Sequence, residues 1–179
     1  MRHSLSTKRE LLAIALAAGV LLSQFGCKSS AVKITPYPNS KLNPYRGAIK
    51  DLLPAQVGDY RLVNMQSLAE TGVELSNPVD GAGGIYNAPG NHTVQHLLVN
   101  FPSAADSNKE LDNDLKRYQS GHQKPMLEDL KDVSGQLTGR RVTVKDGNNE
   151  ALSWTNGSLY CSVVSYTGYA SEFARDLPY

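Results

Sequence analysis

His92 and His96 stand four residues apart, a spacing that on a helix would bring two imidazoles onto one face and suit a metal ion. Their neighbours argue for a strand instead, because Thr93, Val94, Leu97, Leu98 and Val99 are β-branched or apolar. At about 3.3 Å per residue, the two rings on a strand would lie roughly 13 Å apart, too far to share an ion. They are expected as strand histidines, at the surface or partly buried, and no metal or cofactor is expected. Asp80-Gly81-Ala82-Gly83-Gly84 is glycine-rich, and consecutive backbone N–H groups can cradle an anion. It lacks the lysine and hydroxyl of a P-loop and the spacing of a dinucleotide fingerprint, and a strand pattern follows it where a phosphate loop would open a helix. A flexible loop is the expectation.

Two groups of carboxylates could serve general acid–base chemistry. Glu110, Asp112 and Asp114 are interleaved with Lys109, Lys116 and Arg117, which predicts a solvated, salt-bridged helix face. Glu128, Asp129 and Asp132 surround Lys131 in the same manner. A catalytic pair of carboxylates would need a shared cleft. The chain carries no Gly-x-Ser-x-Gly elbow, HExxH pair or EF-hand loop.

Nine tyrosines stand against three phenylalanines and the single Trp154. A tyrosine buries its ring while keeping its hydroxyl wet, so it suits sheet edges and binding surfaces. Tyr160, Val164 and Tyr166 share one face of a strand, and Leu159, Cys161 and Val163 the other. A central strand covered on both sides is expected; the alternative gives one face to helices and the other to a partner. The two cysteines have separate expected fates, with Cys161 a small buried hydrophobe.

The elements that must position these groups follow from periodicity. Asn43 and Pro44 open a short helix over 44–53, with Tyr45, Ile49, Leu52 and Leu53 at helical spacing. A strand over 60–65, a polar passage to Gly84, a strand from Gly84 to Ala88, a Pro89-Gly90-Asn91 turn and a strand from His92 to Phe101 come next. Ser103 and Asp106 open a helix to about Gln119, with Ala104, Leu111, Leu115 and Tyr118 on one face and Gly121 fitting the position just past its end. A second round has strands at 141–145, 150–154 and 158–166, with Asn156-Gly157 as a hairpin signal, then a helix carrying Tyr169, Phe173, Ala174 and Leu177. The expected fold is α+β: an antiparallel sheet made of two strand-strand-helix rounds and covered by a few helices.

Ahead of this domain, Arg2, Lys8 and Arg9 precede an apolar run from Leu11 to Leu22 and then Ser23-Gln24-Phe25-Gly26-Cys27. About twelve apolar residues suit a signal peptide, whereas a spanning helix needs about twenty. Gly26-Cys27 followed by the polar Lys28-Ser29-Ser30 resembles the lipobox of bacterial lipoproteins, although Gln24 and Phe25 differ from the leucine and small residue that the family carries there. The resemblance implies that Cys27 becomes the lipidated N-terminus, joined to the membrane by more than one acyl chain. Ordinary secretion with cleavage nearby, or an uncleaved N-terminal anchor, are the alternatives. The chain thus divides into a signal peptide over 1–26, a polar tether over 27–43 and one globular domain over 44–179.

Beyond Cys27 the chain has 15 basic and 16 acidic residues, a net charge of −1, with no electrostatic footprint for nucleic acid. The expectation is a membrane-anchored envelope lipoprotein with a non-catalytic binding or scaffolding domain, its partner an envelope protein or a glycan. One alternative is a small envelope hydrolase that pairs His92, His96 or His122 with a carboxylate. Another is a carbohydrate or peptide binder whose exposed tyrosines or Trp154 line a groove.

Overall fold

A computed structural model describes residues 47–178 apart from Val133. The export segment, Cys27, the tether and the Asn43-Pro44 helix start lie outside the described residues. The remainder of the expected first helix is a single 3-10 turn, Ile49–Leu52, opened when Ile49 N–H donates to the Asp80 carboxylate at 2.8 Å.

Eight strands form one antiparallel sheet in the order β1-β2-β3-β4-β8-β7-β6-β5. They are β1 (Gln56–Val57), β2 (Tyr60–Ser67), β3 (Asp80–Ala88), β4 (His92–Asn100), β5 (Met126–Lys131), β6 (Leu137–Asp146), β7 (Asn149–Asn156) and β8 (Leu159–Ser165). Among the described residues the α-helices are α1 (Leu68–Thr71), α2 (Ala104–Ser120) and α3 (Ala170–Arg175). The α+β class holds, and each round is larger than its sequence signal: four strands in a meander, then a helix. The two meanders meet where β4 pairs with β8, so the strand order is symmetric about that seam.

The helices break this symmetry. α2 packs on β6, β7 and β8 over one face, where Val99, Phe101, Leu111, Val142, Val144 and Tyr160 form a core. α3 packs on β7 and β8 from the opposite face, in a larger core that holds Tyr86, Trp154, Cys161 and Phe173. Central strands therefore bury apolar side chains on both faces, with a few polar ones such as His96 and Ser153 among them.

Asp80–Gly84 is not a loop but the first half of β3, which corrects the expectation from sequence. The glycines let neighbouring groups lie against the strand. A Cβ on Gly84 would stand 2.6 Å from the Tyr86 ring, and one on Gly83 would stand 2.8 Å from the Thr71 methyl. The Tyr86 ring folds back over Gly84, and its hydroxyl donates to the Pro54 carbonyl at 2.9 Å.

Two chain reversals also differ in detail. Asn156 pairs with Leu159 as the last rung of its hairpin, so Gly157 and Ser158 make the turn. Gly121 ends α2 at φ −78, and His122 takes the left-handed conformation at φ 60. His122 N–H bonds the Gln119 carbonyl at 3.1 Å and Gln123 N–H the Tyr118 carbonyl at 3.0 Å, which is a Schellman ending.

Candidate functional site

Because α2 lies over β6–β8, the same face of the sheet is left open across β3, β4 and the end of β8. A groove of about 410 Å³ occupies that opening. Its floor follows from strand register. Gly83 pairs with Leu97 and Ile85 with Gln95, and across the seam Leu97 pairs with Ser162 and Gln95 with Val164. These six residues alternate toward the α2 face and line the groove. Ile85, Leu97 and Val164 are half-buried and Gln95 is exposed, so the floor is apolar with polar edges.

One wall comes from α1 and the residues just past its Gly72 cap, with Glu70, Thr71 and Val73. Ser67 starts α1 through a capping box in which the Glu70 carboxylate accepts from the Ser67 N–H and hydroxyl, both at 2.7 Å, and this holds that carboxyl below its usual range. The other wall is α2, which contributes Asp114, Arg117 and Tyr118. Here the sequence expectation fails. Asp112 does lie at the surface, where it pairs with Arg140 at 2.6 Å. Glu110 and Asp114, however, are buried beneath the helix, because they fall on the inward stripe with Ser107 and Leu111.

The buried polar groups are joined. The Tyr160 hydroxyl donates to Asp114 and lies 3.3 Å from Ser153 Oγ, which in turn donates to Ser162 at 3.3 Å. Arg117 reaches Asp114 at 2.6 Å and Glu110 at 3.7 Å; the guanidinium side chain is 60% exposed while each carboxylate is 3% exposed. Glu110 also accepts from Asn113 at 3.3 Å and from the Ser76 N–H at 3.5 Å. Burial first, and then the negative charge of Asp114, push the Tyr160 hydroxyl well above its ordinary pKa and raise that of Tyr118. Both phenols stay protonated at neutral pH, and Tyr160, its O–H given to Asp114, keeps its oxygen as an acceptor. The arrangement offers hydrogen bonds and a negative field beside an apolar floor.

The other residues singled out in the sequence lie elsewhere. His96 is buried on the α3 face with its ring beside those of Tyr86 and Phe173, and burial pulls its pKa down to about 3, so it is neutral. His92 stacks on Tyr169 with ring centroids 4.0 Å apart, and its buried Nδ1 has no partner among the described residues. His122 is exposed at the end of α2. None of the three histidine rings faces the groove. Trp154 is 2% exposed, so it cannot line a binding surface, and that part of the glycan-binding expectation is corrected. Tyr166 is exposed, Tyr160 is buried under α2 and Val164 is half-buried in the groove. One strand is thus covered on both faces at one end and open on one face at the other.

Cys161 is a buried free thiol, and burial raises its pKa well above the ordinary value. Glu128 pairs with Arg141 across β5 and β6 at 2.5 Å, and Asp132 accepts from Ser134 and Gln136 within a turn. Among the described residues no three His, Cys, Asp or Glu side chains come together in a way that could hold a metal ion. No helix among them is long and apolar enough to cross a membrane.

Sequence reasoning missed α1 and the inward carboxylates. Ser67-Leu68-Ala69-Glu70 is a capping-box signal, and Ser107, Leu111 and Asp114 share helical spacing, so both were accessible from sequence.

Compared with known proteins, the chain matches no family model and no curated protein. Among solved structures it is similar in fold to a GTP binding regulator from Thermotoga maritima, with 13% sequence identity, 68% of this chain and 77% of that chain covered, and a TM-score of 0.48.

Proposed function

We propose that this chain is an exported envelope lipoprotein, tied to the membrane through Cys27, whose domain binds a ligand without transforming it. The observation that supports binding is the groove itself: an apolar floor of Ile85, Leu97 and Val164 beside protonated tyrosine hydroxyls and a buried carboxylate. Binding pockets combine these features, an apolar body with a few convergent polar groups. The non-catalytic part rests on the groove's side chains. The Tyr160 and Ser162 hydroxyls are tied to carboxylate or serine partners, and among the described residues no imidazole faces them to act as a base. The address rests on residues 1–27, with their basic start, apolar run and Gly26-Cys27.

Two measurements test this reading. Mass spectrometry of the protein extracted from membranes is expected to give a mature N-terminus at Cys27 with added acyl mass; a free thiol there, or cleavage elsewhere, rejects the anchor. A photo-crosslinking residue at Gln95, on the groove floor, is expected to capture an envelope component that the same residue at exposed Lys145 does not. Equal capture at both positions, or none at Gln95, rejects the groove as the binding site.

A further inference from the structure

We infer that the ligand of this groove is a small amphiphilic cation, a primary ammonium group carrying a short apolar body. This rests on the groove being the binding site, as proposed above.

Asp114 and Glu110 are both buried to 3% side-chain exposure, and they share one guanidinium, Arg117, which is itself mostly in solvent. Two carboxylates against one cation leave a formal negative charge in a partly desolvated place. A buried charge without full compensation is costly, so such a place favours an added cation and disfavours an anion. The surroundings keep the same sign. The groove and the depression that adjoins it through Arg117 are lined by Glu70, Glu74, Glu110 and Asp114 against Lys116 and Arg117. Burial is the main reason that the pKa values of Tyr118 and Tyr160 are raised, and the negative charge of Asp114 adds to it in the same direction.

The shape supplies the rest. The negative end lies against α2, and from it the floor runs over Leu97, Ile85 and Val164. An ammonium group has three N–H donors. Asp114 and the hydroxyls of Ser162 and Tyr160 supply acceptor oxygens at that end, while an alkyl body covers the half-buried floor. A carboxylate in the same position would meet Asp114 directly. Because Arg117 is already claimed by two carboxylates, it does not reverse that preference.

The test uses the full-length chain and three probes of matched length: n-hexylammonium, hexanoate and 1-hexanol, followed by amide chemical shifts at constant ionic strength. Hexylammonium is expected to shift Leu97, Ser162 and Val164 saturably, and hexanoate is not. Asp114→Asn is expected to weaken hexylammonium binding about tenfold or more, the size of a lost charge-assisted hydrogen bond. Since Asp114 is buried and that variant can fail to fold, Gln95→Lys provides a second arm: it adds a cation at an exposed edge of the floor and is also expected to weaken binding. If hexanoate or hexanol binds these amides as tightly as hexylammonium, the cation is overturned while the groove stands. If hexylammonium shifts nothing saturably, or binds Gln95→Lys as well as the parent, the inference is overturned whatever the crosslinking at Gln95 shows.

Discussion

The two faces of this sheet are built from the same strands and end differently. On the α3 face the side chains close on one another: Phe173 meets Tyr86 edge-on at 4.8 Å and Tyr60 at 5.3 Å, with His96 beside them and Trp154 in the same core. On the α2 face α2 covers β6–β8 and the short α1 packs on β2 and β3, so the floor between them stays open to solvent. Aromatic bulk made the first face complete, whereas glycines and serines on the second leave room. One face is closed by packing and the other leaves a groove, and each can be perturbed separately.

The largest expected effect lies on the closed face. Phe173→Ala removes the ring that joins α3 to β2, β3 and β4, and such truncations cost about 3–5 kcal/mol. Val164→Ala, on the floor of the groove, removes two methyls from a half-buried position and is expected to cost about 1 kcal/mol or less. Urea unfolding of both variants measures the contrast. Equal losses would mean that the groove floor is as much part of the core as the α3 face, and the two faces would not be separable.

A second test concerns how α3 is held. Glu150 projects from β7 toward α3, where its buried carboxylate accepts from Ser171 N–H at 2.9 Å and Ser171 Oγ at 2.5 Å, with Lys145 at 2.7 Å. Burial opposes ionisation, but the bonds from Lys145 and Ser171 outweigh it, and the pKa lies below its ordinary 4.5. A lowered pKa in the folded state adds stability that is complete above the ordinary carboxylate value and is lost as pH falls through the folded value. Glu150→Gln is therefore expected to cost about 1–3 kcal/mol at pH 7, and less as the pH is lowered below 4.5. Thermal melts of parent and variant across that range decide it; a pH-independent difference would mean that the carboxylate acts only by its shape.

The contrast between the faces also explains what could be read from sequence. The hairpins at 146–149 and 156–159, α2 with its Ser103 start, and α3 with Phe173 follow from alternation, turn glycines and helical spacing, which are local signals. The expected loop at Asp80–Gly84 shows where local signals stop. Glycine weakens a strand in isolation, and only the approach of Thr71 and the Tyr86 ring makes it the residue that fits. Glu110 and Asp114 share helical spacing with Ser107 and Leu111, but alongside the local Arg117 they are held by Tyr160, 46 residues beyond Asp114, and by Ser76, 34 residues before Glu110, which no local pattern shows. The groove arises from which half of the sheet α2 covers, and periodicity carries no signal for that.

The start of α2 gives a smaller effect. Ser103 Oγ accepts from the Asp106 N–H at 3.2 Å and donates to the Asp106 carboxylate at 2.6 Å. Ser103→Ala is expected to cost about 1 kcal/mol, the usual value for a lost cap. Hydrogen exchange is expected to quicken in α2, with β3 and β4 on the α3 face unchanged. Loosening of both faces together would make them one cooperative unit and remove the separation.

The smallest effect has the opposite sign. His122 holds φ 60 at the end of α2, a conformation that a side chain with a Cβ adopts at a cost of about 1 kcal/mol or more. Its backbone still donates to Gln119, so the geometry is fixed by hydrogen bonds that any residue with an N–H can make. Glycine removes the steric cost but has more freedom to lose on folding, and the two terms partly offset. Because His122 is exposed, little packing is lost, and His122→Gly is expected to stabilise the protein by about 0.5 kcal/mol. The gain concerns the wall of the groove alone, so protection should rise in the last turn of α2 and not in the Phe173 core. A urea midpoint that falls in this variant would show that the imidazole makes a contact worth more than the strain it carries, and would bring His122 back among the residues of the open face.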